Sequence, residues 1–140
     1  MRALLDTNVI VDALQSREPW AEAAEEIFRG AANRCFTGCI TAKSCADIQY
    51  LTRRCTHSEL AARGTLNKLF VLFDLLDTSA MDCKRALASD TSDYEDAIMI
   101  ETAVRADVDC IVTRNLDDFK HSPIRICAPE DFLRLLAQES

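Results

Sequence analysis

Side chains whose oxygen atoms could bind a metal ion at one shared site occur at four separated places in this 140-residue chain. They are Asp6, Asp47, Asp96 and the group Asn115, Asp117 and Asp118. Two carboxylates 4 Å apart repel by about 4 kcal/mol at an effective dielectric of about 20, so a fold gathers several of them only around a cation or protons. An all-oxygen set favours Mg²⁺ or Mn²⁺, which retains water and leaves room for a phosphate oxygen. Brought together, these residues would form a metal-dependent site for phosphodiester cleavage.

Each acid also has a structural explanation when it is taken alone. Asp6 fits a turn or a helix cap, and Asp47 fits a solvated helix face. The acids at residues 90–96 crowd a helix N-terminus, where the helix dipole favours them. In that segment Asp93 is the better N-cap, and Asp96 is the better inward-facing residue because an apolar stripe continues from it.

The elements that must position these acids follow from apolar runs and helical stripes. Predicted strands cover residues 2–5, 34–41, 70–76, 110–113 and 124–127. Predicted helices cover residues 9–14, 18–33, 42–55, 57–69, 79–88, 94–106 and 129–137, with Ser79 as an N-cap. Short apolar strands separated by helices indicate a parallel sheet covered on both faces. We therefore expect an α/β fold: a three-layer α/β/α sandwich with a central, mainly parallel five-stranded sheet, in one domain over residues 1–140.

The predicted order of elements brings the acids to one edge of that sheet. In such folds the active crevice lies beyond the carboxyl ends of the strands. Asp6 ends the first strand, and Asp47 lies in the helix after the second. Asp96 lies in the helix before the fourth strand, and residues 115–118 follow that strand directly.

Composition limits the class of protein. The chain is 49% hydrophobic and carries a net charge of −7, which is typical of a compact globular protein and excludes a disordered one. No apolar run reaches the length of a membrane span, and the first apolar run leaves no room for a signal peptide, so we expect a cytoplasmic protein. The acidic balance is unlike that of a general nucleic-acid binder, yet 12 of the 16 basic residues are Arg, which suits phosphate contacts.

The seven cysteines do not form a recognisable metal or disulfide pattern. Their number is odd, no two are spaced as C-x-x-C, and only two histidines accompany them. We expect reduced thiols that pack as small apolar side chains.

Taken together, the four acidic segments resemble the motifs of PIN domains. The matching stretches are LLDTNVIVD at 4–12, ITAKSCADI at 40–48, DAIMIETA at 96–103, CIVTRNLDDF at 110–119 and, near the C-terminus, APEDFL at 128–133. The resemblance covers essentially the whole chain. It implies a metal-dependent ribonuclease selective for single-stranded RNA, and many compact bacterial members are VapC-like toxins of type II toxin–antitoxin pairs.

The resemblance also implies roles for individual residues. Asp6 and Asp96 would bind Mg²⁺ or Mn²⁺ directly, with Asp118 as a further metal ligand, and Asp118 or Asn115 would take the fourth acid's place. Asp47 would take the place of the family's second acid, and Thr113 would orient the attacking water or a carboxylate. A metal-activated water would hydrolyse the RNA phosphodiester, leaving a 5′-phosphate and a 3′-hydroxyl.

Two positions depart from the family pattern. The second acid is usually Glu, and the shorter Asp47 would reach a metal through water. The fourth acid often stands where this chain has Asn115, so Asp117 or Asp118 would have to substitute for it. A neutral Asn115 favours one metal site over two.

Five basic residues are candidates for contacts with RNA. Lys43 and Arg114 adjoin acidic segments, and Lys120 follows the last of them. Arg53 and Arg54 serve equally well as a solvated helix face. The resemblance also implies an antitoxin that places a basic side chain in the acidic crevice.

Apolar side chains suggest both the core and a homodimer. Phe36, Phe70 and Phe73 fall in predicted strands, where we expect core packing rather than base stacking. The stretch 48–51 together with Leu60, Leu66 and Leu69 could form a dimer face, and core packing is equally compatible.

Three other classes of protein compete with the nuclease. A haloacid-dehalogenase-like phosphatase needs a second Asp two residues after Asp6, where this chain has Asn8, which cannot protonate a leaving group. A response-regulator receiver domain needs an acidic pair after the first strand, which is absent. A PIN-fold module that binds RNA or protein without cleaving it is compatible with Asp47 and Asn115.

Overall fold

The computed structural model describes residues 1–139 and contains a five-stranded sheet in which every neighbouring pair is parallel. The strands are β1 (Arg2–Leu5), β2 (Thr37–Thr41), β3 (Asp74–Leu76), β4 (Cys110–Val112) and β5 (Arg125–Cys127), in the order β3-β2-β1-β4-β5. The helices are α1 (Thr7–Leu14), α2 (Ala21–Ala32), α3 (Ala42–Thr56), α4 (Glu59–Leu72), α5 (Ala80–Leu87), α6 (Tyr94–Ala106) and α7 (Pro129–Glu139), with a 3-10 helix at Leu116–Phe119. This arrangement confirms the predicted sheet.

Side chains of the central strand alternate between two cores. Leu5 packs on one face with residues of α1, α2, α3, α4 and α7, whereas Leu4 packs on the other with Met99 of α6 and Phe119 of the 3-10 helix. Because strand side chains point alternately to opposite faces, one short apolar strand supplies both cores. The expected three-layer sandwich is thereby confirmed.

The third strand is shorter than the sequence predicts. Of the predicted strand at 70–76, the first three residues are the last residues of α4, and only Asp74–Leu76 pair with β2. The apolar run is helical because Leu69 and Phe73 are buried while Phe70, between them, is 43% exposed. The expectation that Phe70 lies in a strand and packs in the core is therefore wrong. Phe36 and Phe73 are buried, as expected, but they flank strands rather than lie in them.

Other boundaries differ by a few residues. The second strand begins at Thr37 rather than at residue 34, and the loop predicted after β4 contains the 3-10 helix. Ile48 and Leu69 are buried in the core, and Leu66 packs against it. These three residues of the predicted dimer face therefore serve the core, and Leu60 remains 84% exposed.

The start of α5 is fixed by a buried carboxylate. Ser79 caps the helix as predicted, and the Asp82 side chain completes a capping box. Asp82 is 1% exposed and accepts hydrogen bonds from Thr102 Oγ1 at 2.9 Å and from Arg105 Nε at 3.0 Å. Burial alone would raise the pKa of Asp82, but the bonds from Arg105, the Ser79 N–H and Thr102 outweigh it and lower the pKa to about 2.

Acidification is expected to weaken this contact. The pKa of Asp82 is lower in the folded protein than its ordinary value of 3.8. The ionised Asp82 carboxylate therefore contributes to the free energy of unfolding above pH 4, and this contribution is lost as the pH falls towards 2. The shift corresponds to about 2 kcal/mol. Urea unfolding at pH 6 and pH 2.5 should show the Asp82→Asn variant losing less stability on acidification than the unchanged protein. An equal loss in both proteins would contradict this assignment.

Within residues 1–139, none of the helices combines the length and the apolar character that crossing a membrane requires.

Candidate active site

A cleft of about 300 Å³ opens beyond the carboxyl ends of β1 and β2. It is lined by Asp6, Thr7, Lys43, Asp47, Tyr50, Leu51, Glu95, Asp96 and Met99. These residues belong to the start of α1, one face of α3 and the first two turns of α6. The fold therefore brings three of the predicted acids, from distant parts of the chain, to one cleft.

Asp6 is held rigidly at the bottom of this site. It is the N-cap of α1, and its Oδ1 accepts the backbone N–H of Thr7 at 2.8 Å. Its Oδ2 accepts the hydroxyl of Thr113 at 2.7 Å, which joins the end of β1 to the end of β4. Burial raises the pKa of Asp6, and the two hydrogen bonds offset part of that rise. Thr113 thus contacts the carboxylate that the family resemblance pairs it with, and its part in a reaction stays a prediction.

Asp96 lies in the first turn of α6, whose N-cap is Asp93 as predicted. The Asp93 side chain accepts the Asp96 N–H at 3.1 Å. Burial raises the pKa of Asp96, and the negative charges of Asp93, Asp6, Asp118 and Glu95 raise it further, to about 7. The carboxylates of this region are therefore close enough to repel one another.

Lys43 supplies the positive charge inside the cleft. Its Nζ lies 3.2 Å from Glu95 Oε2 and 3.6 Å from Asp47 Oδ2, and its charge also lowers the pKa of Asp6. Asp47 is half-exposed and paired with Lys43. Glu95 was not singled out from the sequence, because an acid in the first turn of a helix is already accounted for by the helix dipole.

Hydroxyl groups behind the cleft tie β2 to α1. Thr7 Oγ1 donates to Ser44 Oγ at 3.1 Å, and the hydroxyls of Ser44 and Thr41 lie 2.9 Å apart. Thr41 and Ser44 are each 1% exposed. Sequence reasoning did not identify this network, since isolated Ser and Thr residues carry no spacing signal.

The loop after β4 lies beside the cleft rather than in its wall. Asn115, Asp117 and Asp118 line a neighbouring cavity of about 470 Å³. The Asn115 backbone N–H donates to Thr113 Oγ1 at 3.0 Å, which fixes the start of the loop. Among the three candidates for the fourth acid, Asp118 is the one whose charge acts on Asp96.

The predicted basic residues have different surroundings. The Arg114 Nε lies 2.6 Å from Oδ2 of the buried Asp12, and its guanidinium carbon lies 3.8 Å from the centre of the Trp20 ring. This guanidinium is thus engaged by the protein itself. Lys120 ends the 3-10 helix and is exposed. Of the five basic residues that are candidates for contacts with RNA, Lys43 is the one that lines the cleft.

The donor set of the site suits a hard cation. No group of three or more Asp, Glu, His or Cys residues within the described part of the chain is already arranged around a metal position. The carboxylates of Asp6, Asp96 and Asp118 are nevertheless oxygen donors of the kind that Mg²⁺ and Mn²⁺ prefer. Burial, followed by the neighbouring negative charges, raises the pKa of Asp96, and a bound cation would offset both costs.

The sequence matches the model of the PIN domain family over residues 2–117. The chain belongs to the PIN domain family. No curated protein matched the sequence in a direct comparison. The expected family and the expected α/β fold are therefore both confirmed.

Solved structures with the same fold include toxin–antitoxin complexes. A DNA-bound VapBC from Salmonella typhimurium has a TM-score of 0.69 at 20% identity, and the match covers 92% of this chain and 98% of that one. A toxin–antitoxin complex from Klebsiella pneumoniae has a TM-score of 0.66 at 23% identity, covering 91% and 97%. A sarcin–ricin loop cleaving VapC toxin from Mycobacterium tuberculosis has a TM-score of 0.61 at 12% identity, covering 78% and 86%. At these identities the likeness is one of fold.

Proposed function

We propose that this PIN domain is a metal-dependent endoribonuclease that hydrolyses single-stranded RNA and acts as the toxin of a toxin–antitoxin pair. The observation that carries the proposal is the arrangement of Asp6, fixed by Thr113 at 2.7 Å, in the same cleft as Asp96. The cleft also contains a lysine that can contact phosphate. The family and the fold of the solved toxins support the same activity.

Asp6, Asp96 and Asp118 would hold Mg²⁺ or Mn²⁺. When bound, such an ion lowers the pKa of a water and neutralises charge on a phosphate oxygen. Thr113 keeps the Asp6 carboxylate in one orientation. Lys43 holds a positive charge between Asp47 and Glu95 at the rim, where it would attract an RNA phosphate.

The partner would be a small antitoxin that silences the cleft. Among the solved structures of the same fold, the one from Klebsiella pneumoniae is a toxin–antitoxin complex and the one from Salmonella typhimurium is a DNA-bound VapBC. A basic side chain entering between Asp6 and Asp96 would complement their negative charge. A homodimer stays a prediction, which light scattering of the purified protein would test.

The proposal is tested by cleavage of an end-labelled single-stranded RNA with Mg²⁺, with Mn²⁺ and with EDTA. Cutting that requires the metal supports the nuclease. A second candidate is an RNA- or protein-binding module without catalysis, favoured by the neutral Asn115 and by the pairing of Asp47 with Lys43. Binding of RNA without cutting under any condition would support that second candidate.

Removing the hydroxyl of Thr113 is expected to slow cleavage. The Thr113→Val variant frees the Asp6 carboxylate from its 2.7 Å hydrogen bond, and loss of such an orienting contact typically costs about 10- to 100-fold in activity. Single-turnover rates at saturating protein would measure it, with Thr113→Ser as the matched variant that keeps the hydroxyl. A Val variant as active as the Ser variant would show that this bond does not orient Asp6 for the reaction.

A further inference from the structure

The acidic cleft continues along α3 into a second cavity. This cavity, of about 290 Å³, is lined by Gln15, Arg17, Leu51, Arg54 and Cys55. Leu51 lines both the acidic cleft and the second cavity, so the two adjoin at its side chain. We refer to the two adjoining cavities together as the groove; the first has Asp6, Asp47 and Asp96 in its lining and the second has Arg17 and Arg54.

The spacing of residues on α3 sets the length of this groove. Five residues of α3 are linked by steps of three or four positions, which places them on one face of the helix. They are Lys43, Asp47, Tyr50, Leu51 and Arg54. At 1.5 Å per residue, Lys43 and Arg54 are about 16 Å apart along the axis. That distance spans several nucleotides of a single strand rather than one.

Two arginines meet at the basic end of the groove. Within residues 1–139, no carboxylate lies within 4.0 Å of the guanidinium of Arg17 or Arg54. Arg17 Nε donates to Gln15 Oε1 at 3.2 Å, and Gln15 Nε2 donates to the Leu51 carbonyl at 3.2 Å, so Arg17 is anchored to α3. In a chain of net charge −7, two such cations converging on one cavity indicate an anionic ligand.

An aromatic side chain lies between the acids and these arginines. Tyr50 lines the acidic cleft and is 49% exposed, although it is a large aromatic residue. The guanidinium carbon of Arg54 lies 6.0 Å from the centre of its ring. An exposed ring beside an arginine is a surface on which a nucleobase can stack.

We propose that Tyr50, Arg54 and Arg17 form a subsite for single-stranded RNA adjoining the cleavage site. A nucleobase stacks on the Tyr50 ring, and a phosphate further along the strand is bound by Arg54 and Arg17. The inference rests on the proposed ribonuclease function, and it assigns the direction in which the strand leaves the acidic cleft, along α3 towards α1. The order of acids, aromatic ring and arginines matches the order of reacting phosphate, base and following phosphate.

The subsite is tested by fluorescence anisotropy with a 5′-labelled 12-nucleotide single-stranded RNA. The measurement uses an Asp96→Asn background with Mg²⁺, so that the RNA is not consumed. Tyr50→Ala should weaken binding about 5- to 100-fold, the range for loss of one stacked base, whereas Tyr50→Phe should bind as the background protein does. Arg17→Gln and Arg54→Gln should each weaken binding and reduce the slope of log K against log salt by about 0.7.

Arg134→Gln is the matched control, because it removes one positive charge from an exposed pair with Asp131 on α7. It should leave RNA affinity and its salt slope unchanged. With Asp96 intact, the three subsite variants should raise KM for cleavage and leave kcat within about two-fold, since uniform binding is lost. Circular dichroism melting checks that each variant is folded.

Two results would overturn the inference, and they differ from each other. Unchanged RNA affinity in Tyr50→Ala, Arg17→Gln and Arg54→Gln, in a background that does bind the RNA, rejects the subsite and leaves the arginine pair for a protein partner. Failure of the protein with its native sequence to bind or cut RNA rejects the proposed function together with the subsite.

Discussion

Replacing Asp6 or Asp96 with Asn is expected to reduce RNA cleavage by about 100- to 1000-fold. Each substitution removes a negative oxygen donor but keeps the size of the side chain, so it weakens the hold on the cation, which supplies several kcal/mol of stabilisation in the transition state. In the Asp6→Asn variant the single amide oxygen can accept only one of the two hydrogen bonds that the carboxylate accepts, from Thr113 Oγ1 or from the Thr7 N–H. Initial rates with Mg²⁺ over a range of concentrations would measure the loss.

Asp131→Asn is the control for this pair of variants. Asp131 is exposed on α7 and pairs with Arg134, outside the cleft. Its activity should match that of the unchanged protein. The melting temperature of Asp96→Asn should also be no lower than that of the unchanged protein. Burial and neighbouring acids already disfavour the charge of Asp96 and raise its pKa to about 7. Cleavage that survives in both Asp variants would place the active centre elsewhere or indicate a contaminating nuclease.

The Arg114→Met variant is expected to lose about 3 kcal/mol of the free energy of unfolding. The loss is expected because the Asp12 carboxylate, which is 1% exposed, forms an ion pair with Arg114, with 2.6 Å between Asp12 Oδ2 and Arg114 Nε. Removal of one partner leaves a buried charge uncompensated, at a cost of about 3–5 kcal/mol. The contact of Arg114 with the Trp20 ring is lost as well. Urea denaturation would measure the change.

A double-mutant cycle separates the ion pair from general damage. The Asp12→Asn and Arg114→Met substitutions made together should cost less than the sum of the two single changes, because an amide in place of the Asp12 carboxylate carries no charge that needs a partner. Additive losses would show that the two residues do not stabilise each other. Arg114→Lys keeps the charge but loses the planar fork, so it should fall between the unchanged protein and Arg114→Met.

Patterns of apolar residues predicted most of the fold. The short runs at 2–5 and 110–112 are strands because both of their faces are buried, and each is too short to be a core helix. The run at 70–76 was misassigned because a helix end that buries Leu69 and Phe73 and exposes Phe70 has the same composition as a buried strand. Composition alone does not separate the two when a run is this short.

The gathering of the acids was also predictable, since parallel strands bring their carboxyl ends to one edge. Asp6, Asp47 and Asp96 do line one cleft. The residues that each basic side chain contacts were not predictable from the sequence. Arg114 follows a strand that ends at the site, but its long side chain reaches Asp12 on α1, and a one-dimensional sequence does not indicate that a buried acid lies there. The basic end of the groove similarly depends on Arg17 and Arg54, which line one cavity only because α1 packs against α3.

The bond between Asp6 and Thr113 has a consequence for the synthesis of the protein. These two residues are separated by 107 positions, so Asp6 leaves the ribosome long before the strand that orients it. A nascent chain that stops before β4 already has every residue that lines the cleft, but it has neither Thr113, which donates to Asp6, nor Asp118. For the proposed ribonuclease, this order of synthesis withholds two of the proposed site residues until translation is nearly finished.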